Sequence, residues 1–197
     1  MRRIAIDALN GSPGDLLRLR ELLGNGGVVA VPTETFYALA VDPWSETGVR
    51  RVLRTKGREA GKALPVLFAS REQLESLGVI ASPATEQYFR IWPAPLSVVF
   101  PLSEPLAASQ GLASLAVRLP SERRLRQLLA SVGPLTGTSA NRSGSPALDD
   151  PDAVEEIFHR DVDVLVDGGK TPGGKPSTLV DATREPPVLL RDGAFPW

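Results

Sequence analysis

Five clusters of polar residues in this 197-residue sequence could do chemistry, and each lies inside or just past a short apolar run. "VPTETFYALAVDP" puts Thr33, Glu34, Thr35 and Tyr37 directly after a β-rich stretch. Those hydroxyls suit a ligand, and they equally suit a proline-led turn that satisfies its own amides. "KGREAGK" holds Lys56, Arg58 and Lys62 within seven positions. Three cations around glycines fit a polyanion such as a triphosphate, and cations also complement the C-terminal end of a helix dipole. Arg118 interrupts the apolar neighbours of "SLAVRLP". A buried arginine is rare without a partner, which favours a functional role there. "GPLTGTSANRSGSPA" offers Ser139, Asn141, Ser143 and Gly144, whose successive amides can form an anion-binding nest; the competing reading is a hinge. Ser177 in "KPSTLVD" and Arg191 in "LLRDG" close the set at two strand termini.

The rest of the composition narrows the chemistry. There is no cysteine, which removes disulfides, thiolate catalysis and sulfur-ligated zinc. The single histidine, His159, follows "EEIF" at a helix end, a position that suits a solvated or capping side chain. A Ser-His-Asp triad and a histidine metal cluster are therefore disfavoured. Lysine, arginine, hydroxyls and backbone amides are left to act. The net charge is −1, so no global field draws nucleic acid or an anionic membrane, although "RRLR" at 123–126 is a local basic cluster. No apolar run approaches the roughly 20 residues of a membrane span, and the start has no signal-peptide pattern. The expectation is a cytoplasmic chain without membrane contact, folded as one domain over 1–197 with 42% hydrophobic residues to fill its core.

The elements that must position these groups can be read from periodicity. Helices are expected at 15–23, from Ser45 as N-cap, from a capping box at Ser70 and Gln73, through "PATEQYFRIWP" to about Pro93, and in "ERRLRQLLASVG" and "DPDAVEEIFH". Strands are expected at 27–33 and in "ALPVLFAS", "LSVVFPL", "SLAVRLP", "PLTGTS", "VDVLVDGG", "STLVDAT" and "PVLLRDG". The alternation predicts an α/β fold, a single twisted mixed β-sheet flanked by helices, with antiparallel pairing among the last strands. Neither GxGxxG nor GxxxxGK[ST] occurs, so Rossmann and P-loop readings lose their main support. Open α/β sheets bind ligands at strand ends, which is where the polar clusters fall.

In order, "VPTETFYALAVDP", "KGREAGK", "PAPLS", "AVRLP", "TSANRSG", "STLVD" and "LLRDG" resemble the blocks of the YrdC/Sua5 family, the L-threonylcarbamoyladenylate synthases, over about 28–193. The family's KxR…SxN pattern is present as Lys56, Arg58, Ser139 and Asn141. The chain stops soon after the last block, as in the short form of the family that lacks the extra C-terminal Sua5 domain. The resemblance implies a nucleotidyl transfer: threonine and bicarbonate give a carbamate, which attacks the α-phosphorus of ATP and expels pyrophosphate. The product, threonylcarbamoyl-AMP, would pass to proteins that modify adenosine 37 of tRNA, and weak tRNA binding is an implied partner property. By the same resemblance Lys56, Arg58 and Lys62 face the phosphates, with Lys56 and Arg58 catalytic. Ser139 and Asn141 hold the nucleotide, Ser114 lies beside it and Arg191 closes over it. Thr35, Arg118 and Ser177 bind threonine, Arg118 through the carboxylate, and Gly137 offers backbone only. Magnesium is implied with the ATP, without a dedicated protein cage.

Five positions depart from the family's pattern. Ala38 and Ala40 stand in the usual "YGLG", Ala94 in the usual "PGP", Glu59 where a proline follows KxR, and Leu67 where some relatives carry histidine. Two alternatives compete with the synthase. A non-catalytic RNA-binding module would use the same surface, but the near-zero net charge and 6% aromatic content argue against it. A carbamoyl-adenylate-forming enzyme would be expected to carry acylphosphatase or zinc-finger regions, which this sequence lacks.

Overall fold

A computed structural model describes residues 1–58, 61–80 and 82–197. The departure at Glu59 lies outside the described residues. In chain order the elements are β1 (Arg2–Ala5), α1 (Ile6–Asn10), α2 (Pro13–Gly24), β2 (Val29–Pro32), β3 (Tyr37–Ala40) and α3 (Glu46–Lys56). There follow β4 (Val66–Leu67), α4 (Arg71–Ser76), α5 (Pro83–Phe89), β5 (Leu96–Pro101), β6 (Ser114–Arg118) and α6 (Arg123–Val132). The chain ends with β7 (Leu135–Thr136), β8 (Thr138–Ser139), α7 (Pro151–Phe158), β9 (Val164–Asp167), β10 (Thr178–Asp181) and β11 (Val188–Arg191).

The strands form two mixed sheets where one was expected. The first runs β1-β9-β2-β3-β8 and the second β11-β10-β5-β6-β4-β7. The expected antiparallel pairing among the last strands occurs between β10 and β11, while β9 joins the first sheet. The division has a local cause at "PLTGTS". Thr136 pairs with Val66 in the second sheet, and two residues later Thr138 pairs with Leu39 in the first. Gly137 is the crossing point, and its amide donates to the Pro65 carbonyl at 2.7 Å. Strand periodicity gives the faces of a strand but not its partner, so it reads this crossing as one short strand.

Alternation along the strands then assigns every face. In the first sheet, Ala30, Tyr37 and Leu39 point into a core shared with the second sheet, where Val66, Val98, Phe100, Leu115, Val117 and Val180 meet them. Val29, Val31, Ala38 and Ala40 point the other way, into a second core closed by Leu19 and Leu23 of α2 and Leu125, Leu128 and Leu129 of α6. Burial on both faces explains why β2 and β3 read as unbroken apolar runs rather than alternating ones. The far face of the second sheet carries the complementary set: Ser97 on β5, Ala116 and Arg118 on β6, and Leu179 on β10. That face is free for a ligand.

The helices start where their sequence caps them. Ser12 accepts from the Asp15 amide with Pro13 at N1, Ser45 from Gly48, Ser70 from Gln73 and Asp150 from Asp152. Gln73 returns its bond to the amide of Ala69 rather than to the cap itself. His159 caps α7 and is exposed. No helix among the described residues is long and apolar enough to cross a membrane.

Candidate active site

A cleft of about 470 Å³, within the usual range for small-molecule sites, is lined by residues from both sheets. Its first wall begins at the four-residue β2–β3 turn. Thr33 closes this turn by accepting from the Thr35 amide at 3.1 Å and donating to the Phe36 carbonyl at 2.7 Å. Thr35 is thereby fixed on the cleft lining, with its carbonyl held by Gly173 N at 2.7 Å and Thr171 Oγ1 at 3.0 Å.

The end of α3 supplies the cations. Gly57 caps the helix in the left-handed conformation, φ 62°, which a side chain would resist, and turns the chain so that Arg58 reaches the lining. Lys56 is only 5% exposed. Its ammonium donates to Asn141 Oδ1 at 2.7 Å, to the Asn141 carbonyl at 3.1 Å and to the Ser139 carbonyl. Ser139 Oγ also donates to Asn141 Oδ1, at 2.7 Å. The lysine, serine and asparagine of the KxR…SxN spacing are thus one hydrogen-bonded group. Return bonds fix the loop from the other side: Ser143 N donates to the Lys56 carbonyl at 2.7 Å, and Arg142 reaches the Thr55 carbonyl and Asp161. Burial, with Arg58 close by, pushes the Lys56 ammonium down to about 8. Burial also lowers Arg58.

The second wall holds the other arginines. Arg118 is 4% exposed and lies 3.2 Å from Glu34, whose turn belongs to the opposite wall. Arg191 donates to the Ser177 carbonyl through Nε at 3.0 Å and through Nη2 at 2.8 Å, and Nη2 also reaches Ser177 Oγ at 3.2 Å. Burial, then the charge of Arg118, lowers Arg191.

The structure brings Thr35, Lys56, Arg58, Lys62, Arg118, Gly137, Ser139, Asn141, Ser177 and Arg191 onto this one cleft. It does not bring Ser114 there. Ser114 shares the face of Ala116 and Arg118 but stands opposite Pro101 at the start of β6, roughly 13 Å from Arg118 at strand rise. Sequence reading passed over Ser97, which lines the cleft with its hydroxyl 3.0 Å from that of Ser177. The available signal was a lone hydroxyl in the apolar run "LSVVFPL", in phase with the face opposite Leu96 and Val98. Of the departures, Ala38 and Leu67 line the cleft, while Ala40 and Ala94 are buried in the cores.

A family model for Sua5, YciO and YrdC proteins, described as "Telomere recombination", matches residues 21–193. The chain belongs to the Sua5/YciO/YrdC family. Within it, the threonylcarbamoyl-AMP synthase of Pyrococcus abyssi is 41% identical over 175 residues, 87% of this chain and 52% of that protein. The enzyme of the same name from Bacillus subtilis is 33% identical over 198 residues, 96% of this chain and 56% of its own. This chain therefore spans about half the length of these two relatives. The crystal structure of P. abyssi Sua5 complexed with L-threonine superposes with a TM-score of 0.85 at 35% identity, covering 98% of this chain and 56% of that one. The α/β class with mixed sheets is the architecture of this family.

Proposed function

We propose that this chain makes threonylcarbamoyl-AMP and pyrophosphate from L-threonine, bicarbonate and ATP. The observation that carries the reading is the division of charge in one cleft: Lys56, Arg58 and Lys62 at the α3 end, and the buried Arg118 on the facing sheet. The names of the relatives and the threonine complex of P. abyssi Sua5 support the same reading.

Arg58 and Lys62 line the cleft and meet phosphate oxygens, while Lys56 keeps Ser139 and Asn141 in position against the nucleotide. Arg118 takes the amino-acid carboxylate, with Thr35, Ser97 and Ser177 available to its amine and hydroxyl, and Arg191 spans the two ligands. The carbamate oxygen attacks the α-phosphorus, the bond from that phosphorus to the bridging oxygen breaks, and pyrophosphate leaves. This displacement needs alignment and charge neutralisation more than a strong base, which suits a lining of cations and hydroxyls. Magnesium enters with ATP as part of the substrate. Phosphate oxygens and water would be its main ligands, since the described lining residues include no carboxylate. The adenylate is then consumed by proteins that modify adenosine 37 of tRNA, in the cytoplasm, and any contact of this chain with tRNA is weak.

The test is incubation with threonine, bicarbonate, magnesium and ATP, following pyrophosphate and the adenylate by mass spectrometry. Serine, no amino acid and Arg58→Ala protein are the controls. Threonine-dependent pyrophosphate with the matching adenylate mass, lost in Arg58→Ala, is the expected result. Folded protein that binds ATP but releases no pyrophosphate overturns the proposal.

A further inference from the structure

The Glu34–Arg118 pair has a feature that the reaction does not explain. The Glu34 side chain is 10% exposed and that of Arg118 is 5% exposed, with Oε1 and Nη1 3.2 Å apart. Yet among the described residues no N–H is directed at either carboxylate oxygen, and Oε1, Oε2 and Arg118 Nε have no hydrogen-bond partner there. A carboxylate this deep is costly to bury without directed donors, so its charge must serve something besides local satisfaction. Among the described residues the cleft lining carries five cations, Lys56, Arg58, Lys62, Arg118 and Arg191, and no acidic residue. A pocket of that kind draws any small anion. Glu34, on the β2–β3 turn and off the lining itself, lies 3.2 Å from Arg118 and opposes that attraction at one place.

We infer that Glu34 is a specificity-determining residue, selecting an α-amino acid over a carboxylic acid that lacks the amine. This rests on the threonine reading above. A zwitterion seated on Arg118 presents a carboxylate that Glu34 repels and an ammonium that Glu34 attracts, and over a few ångströms the two effects nearly cancel. A deaminated acid meets only the repulsion. At the effective dielectric of a partly buried site, one charge at such distances changes binding by about tenfold or more. Glu34 is not on the cleft lining, so it acts through its field and through Arg118, as a positioning residue rather than a catalytic one.

The experiment is calorimetric titration of the full chain with L-threonine and with 3-hydroxybutyrate, the same skeleton without the amine. It is run on wild type, Glu34→Gln and Glu34→Asp, with folding checked by circular dichroism. Wild type is expected to prefer threonine. Glu34→Gln is expected to narrow the ratio about tenfold, mainly by tighter binding of 3-hydroxybutyrate, and Glu34→Asp, which keeps the charge, to preserve it. A folded Glu34→Gln protein with the wild-type ratio overturns the inference. Should Glu34→Gln not fold, loss of the preference in folded Glu34→Asp overturns it and retention supports it. If wild-type protein binds no threonine, the proposed function fails with it, whereas threonine binding with an unchanged ratio sinks this inference alone.

Discussion

Replacing Gly137 by alanine probes the crossing between the sheets, and Leu67 sets the magnitude. A Cβ at position 137 would lie 2.5, 2.8 and 2.9 Å from Cγ, Cδ1 and Cδ2 of Leu67. Carbon atoms at rest are about 3.5–4.0 Å apart. Leu67 is buried against the second core, and the nearest atom is its Cγ rather than a chain end that could swing aside. The backbone of Gly137 is outside the left-handed region, so the contact rather than the dihedrals carries the cost. Overpacking of this kind costs about 1–3 kcal/mol. Leu67→Ala alone opens a cavity at about 2–5 kcal/mol. That change, however, deletes all three atoms that the new methyl would strike. In the double variant the methyl enters vacated space, and the pair should cost less than the sum of the singles by about 1–3 kcal/mol. Urea unfolding of the four proteins, followed by circular dichroism, gives the cycle. If Gly137→Ala costs the same with Leu67 present or truncated, the crossing is not closed by that contact and the reasoning is refuted.

Two further outcomes follow from the same geometry. Because the Lys56 ammonium is held down to about 8 in the fold against 10.5 for an ordinary lysine, the unfolded chain binds more protons between those pH values. Stability from this group therefore rises with pH across that window, while affinity for Mg-ATP should fall several-fold above pH 8 as the charge is lost. Lys56→Arg should flatten that binding profile in titrations from pH 7 to 10. Gly193→Ala would set a methyl against the backbone of Pro176, Ser177 and Thr178, none of which can rotate away. Urea unfolding should show a loss of at least about 2 kcal/mol, and Mg-ATP binding should weaken because Arg191 is tied to Ser177.

What was legible in the sequence was local in origin. Ser45, Ser70 and the proline after Asp150 mark helix starts because caps act within a turn, and α3, α4 and α7 begin there. Arg118 was legible as an anomaly, and it is buried and paired. The pairing with Glu34 was not legible, because Glu34 and Arg118 are far apart in the chain and are brought together only by the tertiary fold. The strand β3 was missed because Tyr37–Ala40 follows the polar turn without a punctuating glycine, and its identity depends on pairing with β2 and β8. Ser114 and Ser97 show the limit from both sides. Each sits on a correctly read strand, and only the position along that strand, fixed by register, separates a residue in the cleft from one outside it.

The crossing at Gly137 also bears on how such a pocket can change over generations. The cations of α3 and the Ser139–Asn141 loop hang on the first sheet, while Ser97, Arg118, Ser177 and Arg191 hang on the second. The chain passes between the sheets at β3–β4, β7–β8 and β9–β10, and the β7–β8 passage is a single residue with no side chain. On the proposed reading, substitutions that reshape the second wall leave the hydrogen-bonded frame of Lys56, Ser139 and Asn141 intact.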